Sequence, residues 1–361
     1  KQNIYSDKAY YFITVNDEDG KRIQNAVPIS GNPVTEITTF NDYTFYENET
    51  SNLFATGRRW LGEEFSLENQ QTFQIPFPNA VQNEPLKITV RAVGVSGLTS
   101  TMKVNVNSQE LFSLNFSAIS SGSDNLASDR ISSENFSNTS STLSVLLDYD
   151  NGGNPSARAY LDFIEISGKK QLISDGFQFS FRNFSAANTS GIVEYQIQNS
   201  QNIYQIWEVS DHINVTSITN ESSTGNFSFK AMGGDLKEYV VVNENDYYTP
   251  ESVANASIEN QNLHALNDIN YLLLTTSEFS EQAQRIANFH IENSELTAKV
   301  VLLDEIYNEF SSGSKDITGI RDFIRHIYNT NSSESTKLKF VCFFGDASYD
   351  YKDRIAENNN I

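Results

Sequence analysis

Apolar and polar residues alternate along most of the chain up to about residue 240. In Leu86-Lys-Ile-Thr-Val-Arg-Ala-Val93, the apolar Leu86, Ile88, Val90 and Ala92 share one side, while Lys87, Thr89 and Arg91 take the other. That period of two is what a half-buried strand requires. Similar short runs at Tyr10–Val15, Phe73–Ile75, Met102–Val106, Leu143–Leu147 and Tyr160–Ile166 are separated by Asn, Gly, Ser and Asp clusters. Many short strands with frequent turn signals predict a sandwich. Asn151-Gly152-Gly153 reads as a hairpin turn, since glycine and asparagine tolerate positive φ. Between Ser117 and Thr142 periodicity fades, which predicts a long exposed loop. A second β segment is predicted from about Gln171 to Val242, with strands near Phe177–Phe181, Ile192–Ile197, Ile203–Val209 and Phe227–Lys230.

Near Val253 the pattern changes. Tyr271–Thr275 is a continuous apolar run of the kind buried on both faces of a parallel sheet, Lys299–Leu303 reads as a second buried strand and Lys339–Phe344 as a third strand, with Cys342 in its buried middle. Between them, Phe279, Ala283, Ile286, Ala287 and His290, and then Ile317, Ile320, Phe323, Ile324 and Ile327, recur at helical spacing. A β-α-β-α-β order implies right-handed crossovers. The expected architecture is multi-domain: all-β, sandwich-like domains at 1–168 and 169–250, followed at 251–361 by an α/β domain with a parallel sheet. Only three parallel strands are read, so that last domain is expected to be truncated.

Composition narrows the function classes. A net charge of −21 opposes nucleic-acid binding, which demands clustered Lys and Arg, and disfavours an anionic membrane surface. No run reaches the ~20 apolar residues of a membrane span. One cysteine, Cys342, leaves no intrachain disulfide framework. The first residues show no basic segment followed by an apolar one, so the sequence is expected to be either cytoplasmic or an internal piece of a longer exported protein.

Functional groups of a parallel sheet gather at the carboxyl ends of its strands, here Thr275–Phe279, Asp304–Ser314 and Gly345–Tyr351. The last segment carries Asp346, Ser348, Tyr349 and Asp350. With Tyr351, two carboxylates, a hydroxyl and two phenols could bind a substrate or metal; equally, Asp346 could cap a turn or helix and the tyrosines pack over the sheet edge. Cys342 sits mid-strand, where a thiol reads as a small buried hydrophobe rather than a nucleophile. His212, His264, His290 and His326 lack metal-ligand spacing. Asp148-Tyr-Asp-Asn-Gly152 faintly resembles a calcium loop without its glutamate, so a structural Ca²⁺ is left open beside the turn reading. No cofactor is required, no Walker or nucleophile-elbow motif is present, and the Asn-x-Ser/Thr triplets follow from composition.

An ordered series of segments resembles one family. It comprises Gln261–His264, Asp268–Thr276, Ala283–Ala287, Val300–Gly313, Asp316–Ile324 and Phe344–Lys352, with Phe54–Phe65 and Ala159–Ile166 upstream. Together they resemble the sortases of the type IX secretion system, within the gingipain-like cysteine peptidases of family C25. The resemblance implies a caspase-like α/β domain after β domains, and an exported protein at the outer-membrane surface beside a PorV-like β-barrel partner. It also implies removal of the C-terminal signal domain of secreted cargo and attachment of the cargo to anionic lipopolysaccharide through a cysteine acyl-enzyme. A surface cysteine endopeptidase and a non-catalytic binding or scaffold module are the alternatives. The family's histidine lies in a Gly-His-Gly-type turn. None of the four histidines is flanked by glycine, and Cys342 precedes the expected position, so no catalytic residue is assigned here.

Overall fold

The computed structural model describes all residues except 1–3, 16, 54, 56, 222–224, 254–256, 353 and 355–361. The chain forms two compact units, one of residues 19–53 and 60–251, the other of residues 1–18, 54–59 and 252–361. The expected order, β-rich sequence followed by an α/β segment with a parallel sheet, is the order found. The division expected at residue 168 falls inside a strand, Arg158–Gln171. That strand pairs antiparallel with Thr39–Glu47 on one side and Leu86–Val95 on the other, so the two β segments share a single ten-stranded sheet.

Each end of that sheet is covered by a smaller one. Gln70–Pro76, Thr142–Asp150, Ser100–Val106 and Gln109–Phe116 form a four-stranded layer. Its inward residues, among them Met102, Val104, Leu143, Val145 and Leu147, meet Ile88, Val90, Leu161 and Ile164 in one core. A three-stranded layer of Thr35–Ile37, Ile192–Gln198 and Asn226–Met232 encloses the second core. Aromatic rings fill this second core: Tyr195 stacks on Phe229 at 5.0 Å and Phe181 on Tyr239 at 5.2 Å. Burial pushes the Tyr195 phenol up to about 12 and drives Tyr239 the same way, so both stay neutral and behave as hydrophobes.

Several sequence expectations are corrected. Ser128–Phe136 is a strand on the rim of the large sheet, paired with Leu86–Val95; only its two ends are buried, which is why no periodicity marks it. Asn151-Gly152-Gly153 does make a turn, with Gly152 at φ +64 and its N–H donating 3.0 Å to Asp150 Oδ1. It is no hairpin, because its flanking strands belong to different sheets. His212 lies in the turn between strands rather than in one. Tyr10–Val15 joins no strand ladder, and Tyr11, Ile13 and Val15 are exposed.

In the second unit three parallel strands lie in the order second, first, third: Ala298–Leu302, Tyr271–Thr275, Phe340–Phe344. Helix Ser280–Ser294 covers one face, setting Ala283 and Ala287 against Leu273. Helices Leu303–Phe310 and Ile317–Asn329 cover the other, where Ile306, Ile320, Phe323 and Ile327 pack on Leu272 and Leu274. Part of the Asp304–Ser314 segment expected at a strand end is therefore helix. Asp316 caps the last helix through a 2.7 Å bond from Thr318 N–H. The third strand is not buried on both faces as its composition suggests. It forms the sheet's rim, with Phe340 54% and Phe343 55% exposed.

Glu309 ties the approach segment to this unit. It accepts from the Leu263 N–H at 2.7 Å and Gln261 Nε2 at 2.8 Å, and its Oε2 lies 2.7 Å from His264 Nδ1. His264 stacks flat on Phe310 at 4.4 Å.

Two outcomes follow. At Gly94 an added Cβ lies 2.5 Å from Phe116 Cγ inside the sandwich, so Gly94→Ala costs about 1–3 kcal/mol, read as a lower denaturant midpoint with unchanged slope. An unaltered midpoint counts against that packing. Burial raises the Glu309 carboxyl, but the hydrogen bonds from Gln261, Leu263 and His264 outweigh it and hold the group below its ordinary value of 4.5. Its stabilisation is therefore complete above that value and lost as pH falls through the folded-state pKa. The melting-temperature advantage over Glu309→Gln should shrink on acidification below pH 4.5; an advantage independent of pH contradicts the role.

Candidate functional site

The order of the three parallel strands creates the site. The chain leaves the first strand over one face to reach the second, then crosses the other face to place the third on the first strand's opposite side. Crossovers diverge at that point, and the carboxyl ends of the strands flanking such a divergence are where open α/β sheets place ligands. Thr275 lies at this point. It is fully buried at the end of the first strand, and its Oγ1 donates 2.8 Å to the Phe344 carbonyl. This bond fixes where the chain leaves the third strand and enters Gly345–Tyr351.

The four candidate residues take different places in that loop. Asp346 is exposed directly after the third strand, and Tyr349 is 39% exposed. Ser348 is half-buried, and its Oγ accepts from the Asp350 N–H at 3.0 Å. Asp350 is 3% exposed and accepts from the Arg354 N–H at 2.8 Å. Ser348 and Asp350 thus brace the loop's own backbone, while Asp346 and Tyr349 face solvent. Among the described residues no group of three or more His, Cys, Asp or Glu is arranged to hold a metal ion. At the other suggested cation position, one Asp150 oxygen accepts the Gly152 N–H within the turn.

The segment before residue 13 also reaches this loop, which no local sequence signal announces. The Tyr5 and Tyr351 rings meet edge to face at 4.9 Å. Lys352, its side chain only 7% exposed, pairs with Asp7 at 2.7 Å, and Ser314 Oγ donates 3.0 Å to the Lys8 carbonyl. Thr275 was legible only as a hydroxyl ending an apolar run.

Cys342 is half-buried in the third strand, packed with Leu273, Ala283 and Ala287, and burial raises the Tyr271 phenol beside that cluster. His290 sits edge to face on Tyr271 at 4.8 Å, and its Nδ1 lies 3.2 Å from Ser294 Oγ. Among the described residues no imidazole is hydrogen-bonded to Cys342, as the base that activates a thiol nucleophile would be.

Residues 264–361 match the model of Peptidase family C25. No curated protein matches the chain. Among solved structures, dimeric latent PorU from Porphyromonas gingivalis superposes with a TM-score of 0.76 at 21% identity, over 92% of this chain and 32% of that one. The chain therefore spans about a third of that protein. Smaller likenesses, with TM-scores of 0.23 and 0.24, are to a carbohydrate-binding module CBM36 in complex with calcium and xylotriose and to the CBM36-1 domain of a xylanase from the hindgut metagenome of Trinervitermes trinervoides. They are 14% and 12% identical and cover 34% and 35% of this chain and 98% of each module. Residues 264–361 thus resemble the C25 peptidases, and the chain shares the fold seen in PorU.

Proposed function

We propose that this chain is a segment of a cell-surface sortase of the type IX secretion system. The observation that carries the reading is the shared fold with PorU over 92% of the chain, joined to the C25 match at residues 264–361. In the whole protein a cysteine thiolate attacks the peptide carbonyl before the C-terminal signal domain of a cargo protein. The C–N bond breaks, the departing amine takes a proton, and a thioester remains. An amine on anionic lipopolysaccharide then attacks that thioester, forming the new amide and releasing the thiolate. The chemistry needs no cofactor. An outer-membrane β-barrel partner holds the enzyme at the surface. Among the described residues no helix is long and apolar enough to cross a membrane, which suits anchorage by a partner.

The present segment supplies the first three parallel strands and the loop after the third, with Asp346 and Tyr349 exposed on it. Catalytic cysteine and histidine are assigned outside it, because Cys342 is packed against the Ser280–Ser294 helix and among the described residues no imidazole is hydrogen-bonded to it.

Two experiments test this. Whole protein incubated with cargo bearing its signal domain, and with an amine acceptor, is expected to yield the cargo–amine conjugate by mass spectrometry. Release of free carboxyl ends alone supports a plain endopeptidase instead, and no cleavage at all supports a binding module. Separately, the purified 361-residue chain should show no thiol-dependent proteolysis. Activity that Cys342→Ala abolishes overturns the assignment of that residue.

A further inference from the structure

The second parallel strand, Ala298–Leu302, is the sheet's other rim. Its backbone polarity can be read from two bonds. The Leu302 N–H donates 3.0 Å to Glu305 Oε2, away from the sheet, while the Thr297 carbonyl accepts from Asn270 and Tyr271 on the sheet side. Alternation along the strand then points the N–H and C=O of Ala298 and Val300 outward. Among the described residues nothing pairs with them.

This rim has walls. A groove of about 590 Å³ runs along it, with Asn260 and Gln261 lining one side, Glu281 and Gln284 from the start of the Ser280–Ser294 helix the other, and Lys299 and Leu302 on the rim itself. The walls are amide-rich, with an apolar patch at Leu302. Glu281 makes no ion pair among the described residues, and with Glu305 it sets two carboxylates against the single ammonium of Lys299.

We infer that this groove binds an extended peptide segment carrying a lysine or arginine, which adds to Ala298–Leu302 as a further strand. A polypeptide is the ligand class that offers donors and acceptors at the spacing of an open strand edge. The flanking walls fix its direction and take alternate side chains, and the excess of carboxylates selects a basic one. The inference does not rest on the sortase reading.

The test uses the full chain and an acetylated, amidated heptapeptide, Thr-Val-Lys-Val-Lys-Val-Thr. Binding is expected to slow hydrogen exchange at the amides of Ala298 and Val300 and to leave those of Val341 and Phe343 unchanged. N-methylation of alternate peptide residues, on the edge that meets the strand, should weaken binding about tenfold or more, since each lost hydrogen bond is worth roughly that factor. Val300→Pro removes an outward N–H, a change tolerated on a rim strand, and should weaken binding about tenfold with an unaltered circular dichroism spectrum. Protection on the Phe340–Phe344 rim, absence of protection at Ala298 and Val300, or equal binding of the N-methylated peptide overturns the inference. The exchange and N-methyl arms use the unaltered chain, so they decide even if Val300→Pro misfolds.

Discussion

One strand holds the β-rich unit together. Arg158–Gln171 is paired along both edges, with Thr39–Glu47 and Leu86–Val95. It buries Ala159, Leu161, Ile164 and Ile166 in one core, and the chain just beyond it sends Leu172 into the other. Neither core is closed without it. Its register accommodates an irregularity between Leu161 and Phe163, where Asp162 is buried beside Arg91 at 3.4 Å. A buried carboxylate is tolerable only with such a partner. The bulge also increases local twist, which lets a long strand serve two differently placed layers.

In the α/β unit the corresponding constraint is the bond from Thr275 to the Phe344 carbonyl. It joins the two strand ends at the divergence and so determines where the loop after the third strand begins. Polar residues of that loop divide by burial. Those that are inside brace the backbone, and those that are outside are exposed. A cluster that reads in sequence as one chemical group is thus two groups in space.

Sequence patterning exposed the strands whose two faces differ sharply. Leu86–Val93 and Leu143–Leu147 are cases where alternate residues meet a core and water. It exposed the helix stripes for the same reason. It missed Ser128–Phe136, since a rim strand with polar residues on both faces carries no amphipathic signal and is defined by its ladder partner alone. It located Phe340–Phe344 but overstated its burial, because an apolar run records what a strand can bury and not which neighbours cover it. The division at residue 168 failed because composition shifts along the chain while hydrogen bonding runs across it. At the site, Asp346, Ser348, Tyr349 and Asp350 could be located from the strand-end rule. The partners that immobilise their loop could not, since Asp7 and Lys352 are 345 positions apart.

That separation has a consequence for how the molecule is made. The α/β unit is discontinuous: residues 1–18 and 54–59 belong to it, yet its sheet begins only at Tyr271. A chain delivered from its amino end, by ribosome or translocon, presents these early residues long before their partners exist, and contacts so distant in sequence form slowly. Meanwhile the β-rich unit, complete within residues 19–251 apart from that short excursion, is free to close. Tyr5, Asp7 and Lys8 therefore wait for Ser314, Tyr351 and Lys352, so their docking reports that the chain has been delivered at least that far.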